Sequence, residues 1–328
     1  MTGMIRSKAG AAALAAALIA VLGGCAVPQQ PGRGKHMRLT EPKTSTSYHL
    51  YLPEDYVARD GRRADGARWP VVLTLHGLRP YDNAAWQNKE WQEEADRYGL
   101  IVVAPDLHTC DSLTMQLPLR DPNLWYVQKD ERGILAVLDE VFRRTNADPQ
   151  RVLVTSFSSG GYLAHYMLNR HPQRFSCLAV RGSNFSADLL NPAQISRYRD
   201  TPIGIFFGQN DIAICHDESM EAVEWYRRNR FPVEARIVNG LGHERRPQLA
   251  AALFARTSGL TPRTPPELGQ LVIMDVPARH GSAPRSPVDR IPPRPPAVPP
   301  PVPAAPTPPP PGGPLHREYL GHPPPSPN

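Results

Sequence analysis

Three side chains that could together cleave an acyl bond occur along the chain in the order Ser158, Asp211 and His243. A serine hydroxyl is a weak nucleophile at neutral pH unless a neighbouring histidine takes its proton. A carboxylate beside that histidine holds it in the required tautomer and stabilises its charged form. The order therefore predicts Ser158 as the nucleophile, His243 as the base and Asp211 as the acid that orients the base.

The residues around Ser158 have the pattern of a sharp turn between a strand and a helix. An apolar strand is predicted over residues 151–155, the turn follows as SFSSGG, and a helix is predicted over 161–170. Such a turn lifts the serine above a sheet in a strained backbone conformation, and small neighbours let the strand and the helix approach closely. The usual pattern is Gly-x-Ser-x-Gly, and here Ser156 occupies the first glycine position.

Asp211 and His243 each follow the end of a predicted strand. The apolar strand 203–207 leads into Gly-Gln-Asn-Asp211, and the strand 233–238 is followed by Gly-Leu-Gly-His243. Catalytic side chains in open parallel sheets lie at the carboxyl ends of the strands. We therefore expect both residues to meet Ser158 at one edge of a sheet.

A fourth segment, Leu-His-Gly-Leu78, follows a predicted strand over residues 70–75. At this position we expect a backbone N–H that binds the negative oxygen formed during attack on a carbonyl. Leu78 is the candidate for that donor, and the backbone N–H of Ser159, the residue after the nucleophile, is the second. His76 is expected to brace this loop rather than to transfer a proton.

The elements that must position these residues alternate along the chain. Strands are predicted at 45–53, 70–75, 100–104, 151–155, 176–180, 203–207 and 233–238, and helices at 86–98, 131–144, 161–170, 217–229 and 247–256. Mostly apolar strands separated by helices indicate a parallel sheet covered on both faces. We therefore predict an α/β catalytic domain over residues 45–258, with a mainly parallel sheet of roughly seven or eight strands flanked by helices.

The N-terminus has the pattern of a lipoprotein signal peptide. Arg6 and Lys8 precede an uncharged apolar run, which ends at Leu-Gly-Gly-Cys25. The run is about 12 residues long, shorter than the roughly 20 that a membrane span needs. We expect a signal peptide over residues 1–24, lipidation of Cys25, and a membrane-anchored, extracytoplasmic protein with a polar tether over residues 25–44. The alternative is an ordinary signal peptide with a coincidental cysteine.

The composition changes towards the C-terminus. Residues 259–276 form an extension to which the sequence assigns no element. More than half of the 39 prolines lie after Val276, in runs such as PPRPPAVPPPVP. Such a segment has too little apolar surface to pack, so residues 277–328 are predicted to be a disordered Pro-rich tail.

Charge and ligand spacing argue against several other partners. The net charge is +6, but acidic and basic residues are interspersed, without the basic stripe that nucleic-acid binding requires. The loop clusters DLHTCD at 106–111 and CHD at 215–217 lack a second pair of ligands at zinc-site spacing. We therefore expect no metal, no cofactor and no nucleic-acid partner.

Three cysteines follow Cys25 in the sequence. Cys177 lies in an apolar run and is expected to be a buried small side chain. Cys110 and Cys215 both follow predicted strands, and an oxidising compartment would permit a disulfide between them. The sequence leaves open whether these two residues form a disulfide or stay as free thiols.

Four segments, PVVLTLHG, TSFSSGG, GQND and GLGH, together resemble the polyhydroxybutyrate depolymerase and feruloyl esterase branch of the α/β-hydrolases. The likeness covers about residues 45–256 and includes the elbow region DPQRVLVTSFSSGGYLAHYMLNRHPQRF. It implies the α/β-hydrolase fold and an exported esterase, which in some members is a lipoprotein. The chain departs from the group at Ser156, and at Leu78, where the depolymerases tend to have cysteine.

These observations predict a serine esterase that cleaves carboxylic esters through an acyl-enzyme on Ser158. About 22 residues separate the predicted strands that end at Val180 and begin at Ile203, where larger relatives insert a cap. An open site suits ester substrates that are bulky or attached to a polymer. Two alternatives stay open: a serine peptidase of the prolyl-oligopeptidase type, and a non-catalytic surface lipoprotein that retains the fold.

Overall fold

The computed structural model describes residues 33–56, 63, 65–265 and 272–277, and all of these fall within one compact unit. The predicted signal peptide, Cys25 and residues 278–328 of the predicted tail lie outside the described residues. What the sequence indicates about lipidation and about the tail therefore stays a prediction.

The described residues build one sheet of nine strands. The strands are β1 Lys35–Thr40, β2 Ser47–Leu52, β3 Trp69–Leu75, β4 Ile101–Pro105, β5 Ala147–Ser158, β6 Cys177–Ser183, β7 Ile203–Gly208, β8 Val233–Val238 and β9 Ile273–Asp275. Their order across the sheet is β1-β2-β4-β3-β5-β6-β7-β8-β9. Neighbouring strands along the run β4-β3-β5-β6-β7-β8 are parallel. The pairs β1 with β2, β2 with β4, and β8 with β9 are antiparallel. The predicted mainly parallel sheet is confirmed.

Two edge strands lie in segments where the sequence indicated none. β1 falls inside the expected tether 25–44, so the tether prediction is wrong at these residues, and β9 falls inside the extension 259–276, to which the sequence assigned no element. β1 is mostly polar, and its Met37 and Leu39 pack against the core. β9 is too short to carry a pattern, and it is held by pairing with β8 next to the buried Val276. Short or charged edge strands are common because they resist pairing with other chains.

Five α-helices are described: α1 Ala84–Tyr98, α2 Trp125–Arg144, α3 Gly160–Arg170, α4 Ala213–Arg228 and α5 Gln248–Thr257. Two of them, α2 and α4, begin several residues earlier than the sequence predicted. Neither start has a side chain that caps the first turn, so the usual sequence signal for a helix start is missing there. Among the described helices, none is long and apolar enough to cross a membrane.

Each face of the sheet is covered by its own set of helices. On one face, α2, α3 and α4 pack against strand residues such as Val71, Leu73 and Val154. On the other face, α1 and α5 pack against residues such as Val72 and Leu153. Successive strand residues point to opposite faces, so a strand that is covered on both faces must be apolar throughout. This burial explains the unbroken apolar strands in the sequence.

A hydrogen-bonded carboxylate ties α2 to the helix that follows the elbow. Glu131 on α2 accepts hydrogen bonds from Tyr166 Oη at 2.7 Å, Arg170 Nε at 2.7 Å and His171 Nε2 at 2.6 Å. Burial opposes ionisation of this carboxyl, but the three donors outweigh it and lower the pKa of Glu131 to about 2. Because Tyr166 and Arg170 belong to α3, these bonds fix the helix that supports Ser158.

Replacing Glu131 with Gln should destabilise the domain at neutral pH. The folded-state pKa lies below the ordinary value of 4.5, so the stabilisation is present above about pH 4.5 and is lost as the pH falls towards 2. The melting temperatures of the wild type and Glu131→Gln should therefore converge over that acid range. Exposed Glu54→Gln is the control and should melt with the wild type. A difference that stays constant into acid would contradict this role of the carboxylate.

Candidate active site

Ser158 occupies a sharp elbow between β5 and α3. It is the last residue of β5, and α3 begins two residues later at Gly160. The φ angle of Ser158 is 53°, in the left-handed region that residues with a Cβ rarely adopt. Strain of this kind persists only where the surrounding structure holds it. The strand, turn and helix predicted from the sequence are present, with the serine at the carboxyl edge of the sheet.

Glycines let the backbones around the elbow come close together. A Cβ on Gly160 would lie 2.5 Å from a carbonyl oxygen of β3, and one on Gly161 would lie 2.2 Å from that of Asn184. A larger residue at either position would push these loops apart. Ser156 is buried and shares a 3.0 Å hydrogen bond with Ser183 of β6. A small polar side chain therefore fits where the usual motif has glycine.

The acid and the base predicted from the sequence lie side by side. Asp211 follows β7 and His243 follows β8, and Asp211 Oδ1 is 2.6 Å from His243 Nδ1. Their side chains are only 1% and 4% exposed, respectively. Asp211 Oδ1 also accepts a hydrogen bond from the backbone N–H of Ile212 at 2.8 Å. The backbone thus holds the carboxylate, and the carboxylate can hold the imidazole with Nδ1 protonated.

Two residues that contact the pair of Asp211 and His243 were not predicted from the sequence. Gly182 on β6 has a φ of 46°, and a Cβ there would lie 2.6 Å from Asp211 Oδ2. Phe157 in the elbow stacks on the imidazole of His243, with ring centroids 4.4 Å apart and an interplanar angle of 27°. A lone glycine within a strand is a signal of close approach and could have indicated the first neighbour. The stacking has no local signal, because the elbow motif accepts any residue before the serine.

The hydroxyl of Ser158 faces a thiol. Its Oγ is 4.0 Å from Sγ of Cys215, in the first turn of α4, and that thiol is 3.5 Å from Asn184 Oδ1. The hydrogen bonds of the described residues include none between Ser158 and His243. Catalytic hydrogen bonds are often long without substrate and shorten in the complex. Cys215 is close both to Ser158 and to the pair of Asp211 and His243. Ligand atoms of Cys215, Asp211 and His243 all lie within 4.8 Å of one another.

The three described cysteines are buried and free. The disulfide that the sequence left open between Cys110 and Cys215 is therefore not formed. Cys110 instead donates from Sγ to the carbonyl oxygen of His76 at 3.1 Å. Burial raises the pKa of both the Cys110 and the Cys215 thiols, so both are expected to stay protonated and poorly reactive.

The potential metal ligands within the described residues form one group, Asp211, Cys215 and His243. These residues belong to the site already described, and two of them are engaged with each other in a hydrogen bond.

The segment 106–111, which the sequence also offered as a ligand cluster, is held by a carboxylate from α2. Asp130 accepts hydrogen bonds there from His108 Nδ1 at 3.0 Å and from the N–H of Thr109 at 2.6 Å, so a carboxylate shapes this loop.

The loop after β3 lies against Ser158. A Cβ on Gly77 would be 2.9 Å from the Cβ of Ser158, so the peptide that joins Gly77 to Leu78 adjoins the elbow. The N–H groups of Leu78 and Ser159 are not donors in any turn or loop hydrogen bond of the described residues. Both groups are thus available to an oxygen bound at the serine, as oxyanion donors must be.

His76 braces this loop. Its Nε2 accepts a hydrogen bond from the N–H of Leu107 at 2.9 Å, and its Nδ1 is 2.7 Å from the carbonyl oxygen of Gly77. Burial lowers the pKa of His76, so the imidazole is neutral and donates from Nδ1. Both nitrogens are occupied by the backbone, which fits a bracing residue rather than a proton carrier.

The carboxyl edge of the sheet is open between β6 and β7. Residues 184–202 contain two short 3₁₀ helices, at Ala187–Leu189 and Pro192–Arg197, and no cap domain. Trp86 in the first turn of α1 and Trp125 at the start of α2 are 45% and 59% exposed. Helices that follow parallel strands begin at the carboxyl edge, so both indoles lie on the side of the sheet that carries Ser158.

Sequence relatives match only parts of the chain, and no protein-family model matches it. The chain is 26% identical over 183 residues to a bifunctional acetylxylan esterase/xylanase of Neocallimastix patriciarum, a match that covers 55% of this chain and 23% of that protein. It is 41% identical over 64 residues to an S-formylglutathione hydrolase of Saccharomyces cerevisiae, covering 20% of this chain and 21% of that protein. The matched segments therefore span less than a quarter of these curated relatives.

A solved structure shares the architecture. A fluorophosphonate-binding serine hydrolase of Staphylococcus aureus superposes with a TM-score of 0.51 at 15% sequence identity, covering 70% of this chain and 97% of the other. The mainly parallel sheet, the helices on both of its faces and the elbow after β5 are the same features that define this fold. The chain has the α/β-hydrolase fold, as predicted.

Replacing Gly77 with Ala should slow the reaction of Ser158 with a fluorophosphonate probe. The new methyl group would lie 2.9 Å from the Cβ of Ser158, so the loop must move. Misplacement of about 1 Å near reacting atoms can cost roughly 100-fold in rate. Gly242→Ala is the control beside His243, because its nearest neighbour would be 3.8 Å away. Equal labelling rates, measured by mass spectrometry for the two variants, would contradict the close approach of this loop.

Proposed function

We propose that this protein is an exported serine hydrolase that cleaves carboxylic esters through an acyl-enzyme on Ser158. The observation that carries the proposal is the buried pair of Asp211 and His243, 2.6 Å apart, beside the strained elbow of Ser158. The names of the two curated relatives, an acetylxylan esterase/xylanase and an S-formylglutathione hydrolase, support hydrolysis of an acyl bond.

Acylation begins when Ser158 Oγ attacks the carbonyl carbon of the ester. His243 Nε2 takes the hydroxyl proton, and Asp211 stabilises the imidazolium through Nδ1. The carbonyl oxygen becomes negative, and the backbone N–H groups of Leu78 and Ser159 bind it. Collapse of this tetrahedral intermediate breaks the bond to the alcohol, which leaves with the proton held by His243.

Deacylation repeats the sequence with water in place of the serine. His243 takes a proton from the water, whose oxygen attacks the acyl carbonyl, and Ser158 leaves with that proton. Because the side chain of Asp211 is 1% exposed, solvent screens its attraction to the imidazolium only weakly. The same buried pair therefore serves both halves of the reaction.

The substrate that fits this site best is an ester whose alcohol part is bulky or attached to a polymer. The crossing from β6 to β7 adds only short 3₁₀ helices, and the exposed indoles of Trp86 and Trp125 flank the carboxyl edge. The name of one relative, an acetylxylan esterase/xylanase, also refers to an acylated polymer. A depolymerase or feruloyl esterase activity is the narrower form of this proposal.

Two other functions are compatible with the same fold. A serine peptidase of the prolyl-oligopeptidase type would use the same elbow and triad to cleave amides. A non-catalytic surface lipoprotein would not need the pair of Asp211 and His243. That pair favours an enzyme, and the names of the relatives favour acyl esters over amides.

Replacing Ser158 with Ala should lower the turnover of p-nitrophenyl acetate by about 1000-fold or more, because the covalent route disappears. In the wild type, mass spectrometry after fluorophosphonate treatment should find the adduct on Ser158. Ser156→Ala is the matched control two residues earlier in β5 and should keep most of the turnover. Its hydroxyl is hydrogen-bonded to Ser183 and not to the triad.

Three outcomes would contradict this proposal. Turnover that survives in Ser158→Ala but is lost in Ser156→Ala would assign the nucleophile to the other serine. Cleavage of peptide p-nitroanilides at a rate comparable with that of the matched esters would favour the peptidase, because an esterase cleaves amide bonds very slowly. A folded wild-type protein that neither takes up the probe nor cleaves any ester would favour the non-catalytic lipoprotein.

We also propose that Cys25 anchors the protein to a membrane outside the cytoplasm. The support is the sequence pattern of a positive start, a short apolar run and the ending Leu-Gly-Gly-Cys25. Cys25 itself lies outside the described residues. Two or three acyl chains on this cysteine would hold the domain firmly at the membrane without a spanning helix.

Replacing Cys25 with Ser should abolish both palmitate labelling and globomycin-sensitive processing of the chain in bacterial cells. The catalytic variant Ser158→Ala is the control and should be labelled and processed like the wild type. If Cys25→Ser leaves labelling and processing unchanged, the N-terminus is an ordinary signal peptide and this cysteine is coincidental.

A further inference from the structure

Four charged side chains meet between α1, β6 and two loops. One is the loop after β3 that carries Leu78, the oxyanion loop, and the other is the loop after β8 that carries His243, the histidine loop. The four side chains are Asp82, Glu90, Arg181 and Arg245, and the first three are at most 6% exposed. Buried charges are costly, and replacing buried ion pairs by apolar residues of similar volume often leaves stability unchanged or raises it. Folding stability alone therefore does not account for this cluster, and the loops that it connects suggest another role.

Arg181 forms the inner end of the cluster. It lies on β6 directly before Gly182, the residue that packs against Asp211. Its guanidinium pairs with Glu90 of α1 and donates to Gln87 Oε1 at 2.8 Å. Even with this cation beside it, burial raises the pKa of Glu90 to about 7. A second charge, that of Arg245, also opposes this rise, so two arginines together hold the pKa of Glu90 near neutrality.

Arg245 supplies that second charge from the histidine loop, two residues after His243. Its Nη1 is 3.0 Å from Asp82 Oδ1, and its Nε is 3.6 Å from Glu90 Oε2. The guanidinium also lies over the indole of Trp86, 5.1 Å from the ring centroid. Arg245 thus links the histidine loop to Asp82, Glu90 and Trp86.

Asp82 connects Arg245 to the oxyanion loop. Its Oδ2 accepts hydrogen bonds from the N–H of Gly77 at 2.7 Å and from Gln87 Nε2 at 2.8 Å. Gly77 in turn adjoins Ser158, since a Cβ there would be 2.9 Å from the Cβ of the serine. A single carboxylate therefore contacts the N–H of Gly77, one residue before Leu78, and also Arg245 of the histidine loop.

We infer that Asp82 and Arg245 are positioning residues that hold the histidine loop and the oxyanion loop in fixed relation to each other. This inference rests on the proposed function. The two loops carry groups that act on the same intermediate, the imidazole on the leaving oxygen and the Leu78 N–H on the carbonyl oxygen. Neither Asp82 nor Arg245 touches the substrate; each acts through the neighbour that it fixes.

Replacing Asp82 or Arg245 with Ala should lower kcat for p-nitrophenyl acetate by about 10-fold to 100-fold, the cost of a misplaced catalytic group. KM should change little, because binding of this small ester does not involve either residue. The second-order rate of fluorophosphonate labelling at Ser158, measured per folded molecule, should fall in parallel. Arg246→Ala is the matched control, since Arg246 pairs with Glu244 beside it and not with the cluster. It should keep the wild-type kcat.

The double variant distinguishes a shared role from two separate ones. If the two residues act through each other, Asp82→Ala with Arg245→Ala should be no slower than the slower single variant, because neither residue can act without its partner. Arg245→Lys, which keeps the charge, should recover part of the lost kcat. Where an alanine variant fails to fold by circular dichroism, Asp82→Asn and Arg245→Gln replace it in the same cycle.

Three results would overturn the inference. The first is wild-type kcat in both single variants, and the second is a double-variant loss equal to the product of the single losses. The third is an equal loss in Arg246→Ala. These results are separate from a failure of the proposed function, which would appear as full turnover in Ser158→Ala whatever the cluster variants do.

Discussion

The backbone strain at Ser158 is the constraint on which the rest of the site depends. A φ of 53° costs a residue with a Cβ on the order of 1–3 kcal/mol, so the surrounding chain must hold it. It is held because Gly77, Gly160 and Gly161 let the β3 loop, the elbow helix and the β6 loop approach within distances that no Cβ permits. The same close approach places the Leu78 peptide beside the serine. The strain at Ser158 and the position of the Leu78 peptide thus have one origin.

A parallel sheet brings the ends of β5, β7 and β8 to one edge, but it does not set the loops beyond them. Asp211 is held by the N–H of Ile212, and its partner His243 is supported by stacking on Phe157. The histidine loop gains a further attachment through Arg245, which reaches back to α1 and to Asp82. Hydrogen bonds and ion pairs thus hold the loops whose positions the sheet does not set.

The sequence predicted the strands that are buried on both faces of the sheet. It missed strands that are held mainly by hydrogen-bond pairing with a neighbouring strand. The apolar strands β3 to β7 and the elbow were predicted because two covered faces require unbroken apolar runs. β1 and β9 were missed because an edge strand with one covered face can be polar or very short. The early start of α2 at Trp125 was missed because no side chain caps its first turn. The sequence left open a disulfide between Cys110 and Cys215; it is not formed, because both thiols face other partners.

The sequence by itself determined the fold class and the candidates Ser158, Asp211 and His243. Each of these follows a recognisable strand, and strand order dictates which ends meet. Only the tertiary structure decided that Cys215 faces Ser158, that Phe157 stacks on the imidazole of His243 and that Arg245 binds Asp82. The last two partners lie 163 residues apart, and neither stands in a motif. Contacts of this kind depend on how loops pack after the sheet has formed, and no local periodicity or propensity encodes them.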